Sequence, residues 1–176
     1  MTEDTKHMKV VVLRVGHRID RDQRITTHVG LCARALGAQG MLLVGSDSTV
    51  VSTVQDVVRR WGGDFWIRDG VNWKQEITQW KKNAGKVLHL TMYGENLPSV
   101  MDRLEIDKLM VVVGAEKVPP EMYHMADYNV AVTHQPHSEI AALSILLDRL
   151  QKGEELVTDF NTSQITRSTN NLGSNG

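Results

Sequence analysis

The chain has 176 residues, 20 Lys plus Arg against 21 Asp plus Glu, a formal net charge of −1, and 41% hydrophobic residues. That length suits one domain with a sizeable core, and the ordinary hydrophobic and charged content excludes a disordered or fibrous protein. Near-neutrality excludes a globally basic nucleic-acid binder, so any such surface has to be a local patch. A cytoplasmic protein is expected, because no apolar run approaches the roughly 20 residues of a membrane span and no signal peptide is read at the start.

Val10–Val15 is short and β-branched and reads as a buried strand. Asp20–Leu36 has helical periodicity, with Ile25, Val29, Cys32 and Leu36 on one face and Gly37 as its stop. Cys32, the only cysteine, falls on that apolar face. It is therefore read as a core residue rather than a nucleophile, and a lone cysteine excludes an intrachain disulfide framework. Met41–Val44 is a second strand. Asp47 or Ser48 caps a helix whose Val50, Val54, Val57, Val58 and Trp61 face the core, ended by Gly62-Gly63. Gly45-Ser46-Asp47-Ser48-Thr49 has the composition of a phosphate loop, but Asp47 would repel the anion, so capping is the better account. Phe65–Ile67 is a short strand, and Asn72 caps a helix carrying Trp73, Ile77 and Trp80.

Val87–Thr91 is the next strand, followed by Tyr93-Gly94 and a short helix around Pro98–Leu104. Leu109–Val113 is the most hydrophobic strand, and Pro119-Pro120 are placed to open a helix. Tyr128–Val132 and a long helix from Ser138-Glu139 to about Leu150 complete the pattern. Residues 1–158 read as one domain and 159–176, rich in Asn, Thr, Ser and Gly, as a loose tail. Strand–helix alternation throughout predicts an α/β fold with a mostly parallel sheet and helices on both faces.

Three strands end in small or polar loops: Leu90-Thr91-Met92-Tyr93-Gly94, Gly114-Ala115-Glu116-Lys117, and Thr133-His134-Gln135-Pro136-His137-Ser138. If these strands are parallel neighbours, the loops meet at the carboxyl edge of the sheet, where α/β proteins bind ligands. Taken singly, each loop is more readily a plain turn, since Gly, Pro and Ser favour turns. No Gly-x-Gly-x-x-Gly follows a strand and no Gly-x-x-x-x-Gly-Lys-Ser/Thr occurs, which weakens dinucleotide and nucleoside-triphosphate readings. His134 and His137 flank a proline turn with no third ligand nearby, so no metal site is expected.

Between Arg14 and Arg34 lie five arginines and two histidines against Asp20 and Asp22. His17, Arg21, Arg24 and His28 form one stripe if the helix reaches that far back. A solvated face with salt bridges to the aspartates accounts for this as well as RNA binding does. Arginine without lysine, however, points to bidentate recognition of phosphate or carboxylate.

These residues resemble a known family. Arg18-x-x-x-Asp22-x-Arg24-Ile25-Thr26-Thr27-His28-Val29, Thr91-Met92-Tyr93-Gly94, Val113-Gly114-Ala115-Glu116-Lys117-Val118-Pro119 and Gln135-Pro136-His137-Ser138-Glu139-Ile140-Ala141-Ala142-Leu143 look like the archaeal tRNA (cytidine(56)-2'-O)-methyltransferases of the SPOUT superfamily, with the likeness running from about Val10 to Leu156. The resemblance implies a C-terminal trefoil knot, a homodimer, tRNA as substrate and S-adenosyl-L-methionine held by three loops. It assigns to the cofactor Leu90–Gly94, then Gly114, Ala115, Glu116, Lys117 and Val118, and then Val132, Thr133, His134, Gln135, Pro136, His137, Ser138 and Glu139. Related ribose methyltransferases carry an asparagine followed six residues later by a catalytic arginine. No Asn-x-x-x-x-x-Arg lies between Ile19 and Gly37, and Arg24 is the replacement candidate, with Arg18 second and His28 a candidate base. Arg14, Arg18, Arg21 and Arg34 are expected on RNA phosphates. Alternatives are methylation of another RNA and a non-catalytic nucleotide-binding module.

Overall fold

The computed structural model describes residues 8–105, 107–114 and 118–160. Six strands form: β1 (Lys9–Arg14), β2 (Gly40–Leu43), β3 (Trp66–Arg68), β4 (Lys86–Asn96), β5 (Lys108–Val113) and β6 (Tyr128–Ala131). They make one sheet in the order β3-β2-β1-β5-β4-β6 with every pair parallel. The helices are α1 (Gln23–Ala35), α2 (Ser48–Trp61), α3 (Trp73–Lys82), α4 (Leu97–Val100), α5 (Pro120–Met125) and α6 (Glu139–Gln151). A parallel sheet must be covered on both faces, and it is. Val10 and Val12 of β1 pack with residues of α1, α2, α4 and α6, while Val11 and Leu13 face the opposite layer with Ile77 of α3 and Met122 of α5.

Helix starts follow the capping chemistry read from the sequence. Asp47 accepts from the N–H groups of Thr49 and Val50, Asn72 from those of Lys74 and Gln75, and Ser138 from that of Ile140. Pro119 and Pro120 open α5. Four expectations are corrected. The first helix begins at Gln23, not Asp20, because the Asp22 carboxylate is taken by the backbone N–H and guanidinium of Arg18, which folds 18–22 into a turn. Cys32 is only half-buried, and Trp61 at the end of α2 is 43% exposed, so neither is a core residue. Finally, Thr91–Gly94 is not a loop after a strand: β4 runs on to Asn96, with a bulge between Leu90 and Glu95 in its pairing with β6.

That bulge presses two chain segments together. A Cβ at Gly94 would stand 2.4 Å from the Asn129 carbonyl oxygen and 2.5 Å from the Val130 nitrogen, both backbone atoms that cannot step aside. Gly94→Ala is therefore expected to cost about 1–3 kcal/mol as overpacking. In a domain of this size that lowers Tm by about 2–12 °C, which thermal unfolding by circular dichroism will read.

Candidate active site

The carboxyl ends of β4, β5 and β6 surround a cavity of about 500 Å³. Leu90, Thr91, Met92 and Tyr93 line one side, Val113, Gly114 and Val118 a second, and Val130, Val132, Pro136, His137 and Glu139 a third. The three segments expected to converge do so, at the edge of a parallel sheet where strand ends leave a crevice. Not every expected residue reaches the cavity. Gly94 is spent on the close approach to β6. His134 braces the third loop instead, with Nδ1 2.8 Å from the Met92 carbonyl and Nε2 3.0 Å from Asn96 Oδ1. The Thr133 hydroxyl accepts from the Gln135 N–H, and Ser138 caps α6. Ala115, Glu116 and Lys117 lie outside the described residues.

Two polar residues missed by the sequence reading stand at the cavity wall, His89 and Tyr123. His89 is 1% exposed, and Tyr123 meets it edge-on with ring centroids 4.9 Å apart. The Tyr123 hydroxyl shares a hydrogen bond with Thr91 Oγ1 at 3.0 Å. Burial pushes the His89 imidazole below its ordinary pKa, against a smaller opposing pull from Asn129. The available signal was a histidine inside the apolar run Val87-Leu88-His89-Leu90, where alternation leaves no exposed face.

Behind the third wall lies a polar chain. Arg14, at the carboxyl end of β1, is 1% exposed; its Nη1 donates to Glu139 Oε2 at 2.7 Å and its Nε to Thr26 Oγ1 at 3.3 Å. His17 Nδ1 lies 2.7 Å from the same hydroxyl, and His17 Nε2 lies 2.8 Å from Asp47 Oδ2. Since Thr26 Oγ1 accepts from Arg14, its proton is available to His17 Nδ1, which leaves Nε2–H to donate to Asp47. Burial works to raise the Asp47 pKa, but hydrogen bonds from His17, the Val50 N–H and Gln23 outweigh it and hold the carboxyl below the usual range.

The arginine stripe is corrected accordingly. His17 turns inward rather than joining Arg21, Arg24 and His28, which are exposed on or just before α1. Arg14 and Arg34 are not surface ligands for RNA. Arg14 is committed to Glu139 and Thr26; Arg34 is buried, donates from Nη2 to the Gly62 carbonyl at 2.7 Å, and lies 4.3 Å from the centroid of the Phe160 ring. Phe160 falls just past the boundary at 158 expected from composition. Arg18 remains on the surface, paired with Asp22, whose carboxyl its guanidinium holds below the ordinary pKa. Among the described residues neither Arg21 nor Arg24 has a side-chain hydrogen bond or ion pair.

Residues 61–174, more than half of the chain, match the sequence model of a family described as tRNA ribose 2'-O-methyltransferase, aTrm56. A tRNA (cytidine(56)-2'-O)-methyltransferase of Methanosarcina barkeri is 60% identical over 159 residues, covering 90% of each chain. That of Methanothrix thermoacetophila is 54% identical over 154 residues, 87% of this chain and 88% of its own. This chain belongs to the aTrm56 family. Among solved structures, the TrmH/SpoU tRNA-modifying enzyme of A. aeolicus superposes with a TM-score of 0.62 at 16% identity, over 85% of this chain and 77% of that one. The SpoU methyltransferase AviRb from Streptomyces viridochromogenes, solved with AdoMet, gives 0.59 at 17%, over 82% and 57%. These likenesses establish the SPOUT-type fold of the aTrm56 chain.

Two outcomes follow for stability. Arg14→Met takes from the half-buried Glu139 carboxylate the donor that lies 2.7 Å away and is expected to cost about 2–3 kcal/mol in urea unfolding, whereas adding Glu139→Gln recovers part of that loss. For His89, the unfolded imidazole takes up a proton below its ordinary pKa of about 6.5 while the folded one resists it. Its contribution is thus whole above pH 6.5 and shrinks as pH falls through the folded value. Urea unfolding at about pH 7.5 and 5.5 should show a larger acid loss for the wild type than for His89→Phe.

Proposed function

We propose that this chain transfers a methyl group from S-adenosyl-L-methionine to the ribose 2'-oxygen of cytidine 56 in the TΨC loop of tRNA. The observation that carries the reading is the convergence of three strand-end segments on one cavity in a member of the aTrm56 family. The cavity suits the cofactor. Its volume falls in the range of small-molecule sites, its walls are mainly apolar with few polar groups, and Gly114 has no room for a side chain between Val118 and Val15. Leu90, Thr91, Met92, Tyr93, Gly114, Val118, Val132, Pro136, His137 and Glu139 would hold it. When bound, the cofactor supplies an electrophilic methyl group.

The chain's own part is then alignment and management of charge. Holding the two reactants in register is worth roughly 7–11 kcal/mol of the barrier. Arg24 stabilises negative charge developing on the 2'-oxygen or on the adjacent phosphate. As an always-protonated guanidinium it does not take the proton, which passes to a phosphate oxygen or to His28. Arg18 and Arg21 meet backbone phosphates around the target. We also take from the family a trefoil knot in the C-terminal half, a homodimer and a cytoplasmic setting. The backbone-to-backbone approach of Gly94 to Asn129 supports tight threading there. Among the described residues no helix is long and apolar enough to cross a membrane.

Mass-spectrometric mapping of 2'-O-methylation on an unmodified tRNA transcript incubated with protein and cofactor should place a single new methyl on cytidine 56. A methyl on another nucleotide or another RNA only, or none, overturns the reading. Arg24→Ala should lower kcat by about 100-fold or more while cofactor affinity is kept, as for loss of one donor to a developing oxyanion. Arg18→Ala and Arg21→Ala should instead raise KM for tRNA and reduce its salt dependence by about one counterion each.

A further inference from the structure

His89 ends a chain of fixed hydrogen bonds, and the direction of each bond can be read. Asn129 Nδ2 donates to the Tyr123 carbonyl at 2.9 Å, so the amide is oriented with Oδ1 toward His89, 3.0 Å from Nδ1. An amide oxygen only accepts, so Nδ1 carries the proton. Neutral imidazole has one N–H, and it is now used; Nε2 is therefore a bare lone pair. Burial favours that neutral form. The ring cannot turn away, because Tyr123 stands edge-on against it and is itself tied to Thr91. Nε2 is buried, and among the described residues it has no hydrogen-bond partner, although His89 lines the cavity wall. Buried acceptors left without a donor are rare and ask for an explanation.

We propose that His89 Nε2 is a built-in acceptor for a hydroxyl or amino group of the cofactor, so that the cavity selects ligands by a donor at this one point. The inference rests on the reading of this cavity as the S-adenosylmethionine site. A donor-lacking ligand would leave the lone pair unpaired, whereas the natural one satisfies it. No proton is transferred; His89 is a binding residue.

The test uses binding alone, by isothermal titration of the full chain with S-adenosylhomocysteine and four analogues. These are the 2'-deoxy and 3'-deoxy forms, the N6,N6-dimethyl form and the form lacking the α-amino group. One of the four is expected to bind the wild type roughly 10–100-fold more weakly than the parent, the loss typical of an unsatisfied buried acceptor. His89→Phe should weaken the parent by a similar factor and no longer distinguish that analogue from it. Because the analogues are compared on the wild-type protein, the test stands even if the variant fails to fold. If all four bind the wild type within about threefold of the parent, the His89 inference is overturned while the cofactor reading survives. If the wild type does not bind S-adenosylhomocysteine at all, the cofactor reading falls and takes this inference with it.

Discussion

The buried guanidinium of Arg14 is the constraint on which the rest of the site depends. A charge taken out of water is costly unless its donors are matched by acceptors held in place. Arg14 meets that demand with Glu139 at the first turn of α6 and Thr26 in the first turns of α1. Three elements distant in sequence are thereby fixed at one point: the end of β1, the start of α1 and the start of α6. Ion pairs of this kind contribute little net stability compared with apolar packing, but they penalise every arrangement that leaves the charge unpaired. Their contribution is to position, and position is what a site working by alignment requires. His17 and Asp47 extend the same chain to the start of α2.

This arrangement separates two tasks. The walls at β4, β5 and β6 are largely apolar and polar only at fixed points, as suits a small molecule with a few hydrogen-bonding groups. The exposed Arg21 and Arg24 stand at or just before the start of α1, the helix that Thr26 ties through Arg14 to Glu139. Phosphate recognition needs accessible, hydrated cations, and a dry cavity would not tolerate them. The polar link joins the two regions without mixing their environments. Under the proposed function, a nearly neutral chain needs no general positive field, since a few arginines at one edge of the sheet would set orientation.

The six strands were legible in the sequence because a sheet buried on both faces demands uninterrupted apolar, β-branched runs such as Val10–Leu13 and Leu109–Val113. Helix starts at Asp47, Asn72 and Ser138 were legible for an equally local reason, since a cap acts over two or three residues. What escaped was non-local. Arg14 and Arg34 look in sequence like Arg21 and Arg24, and only partners 125 and 28 residues away turn them inward. Asp22 has the identity of a side-chain cap, but Arg18 claims its carboxylate. The continuation of β4 through Gly94 depends on β6, which supplies the pairing that a lone Tyr-Gly cannot announce. In the cavity, loop residues were found by composition, while His89 and Tyr123 were hidden because their partners come from separate elements.

A site assembled from such distant pairs forms only when the whole domain does. Parallel strands give no local hairpin, and β1 pairs with β5 across nearly a hundred residues, so loop-closure entropy must be met before these contacts repay it. Neither the Arg14–Glu139 pair nor the His89–Asn129 contact has any meaning in a partly folded chain, where water serves each group as well. Once formed, the contacts support one another: α6 fixes Glu139, Glu139 fixes Arg14, and Arg14 holds α1 through Thr26. The wall that Glu139 contributes is therefore set by the fold itself. For methyl transfer this is the useful limit, because little chemistry is left to the protein beyond holding an acceptor oxygen on line with the methyl group. A flexible site would lose the orientation that supplies most of the rate.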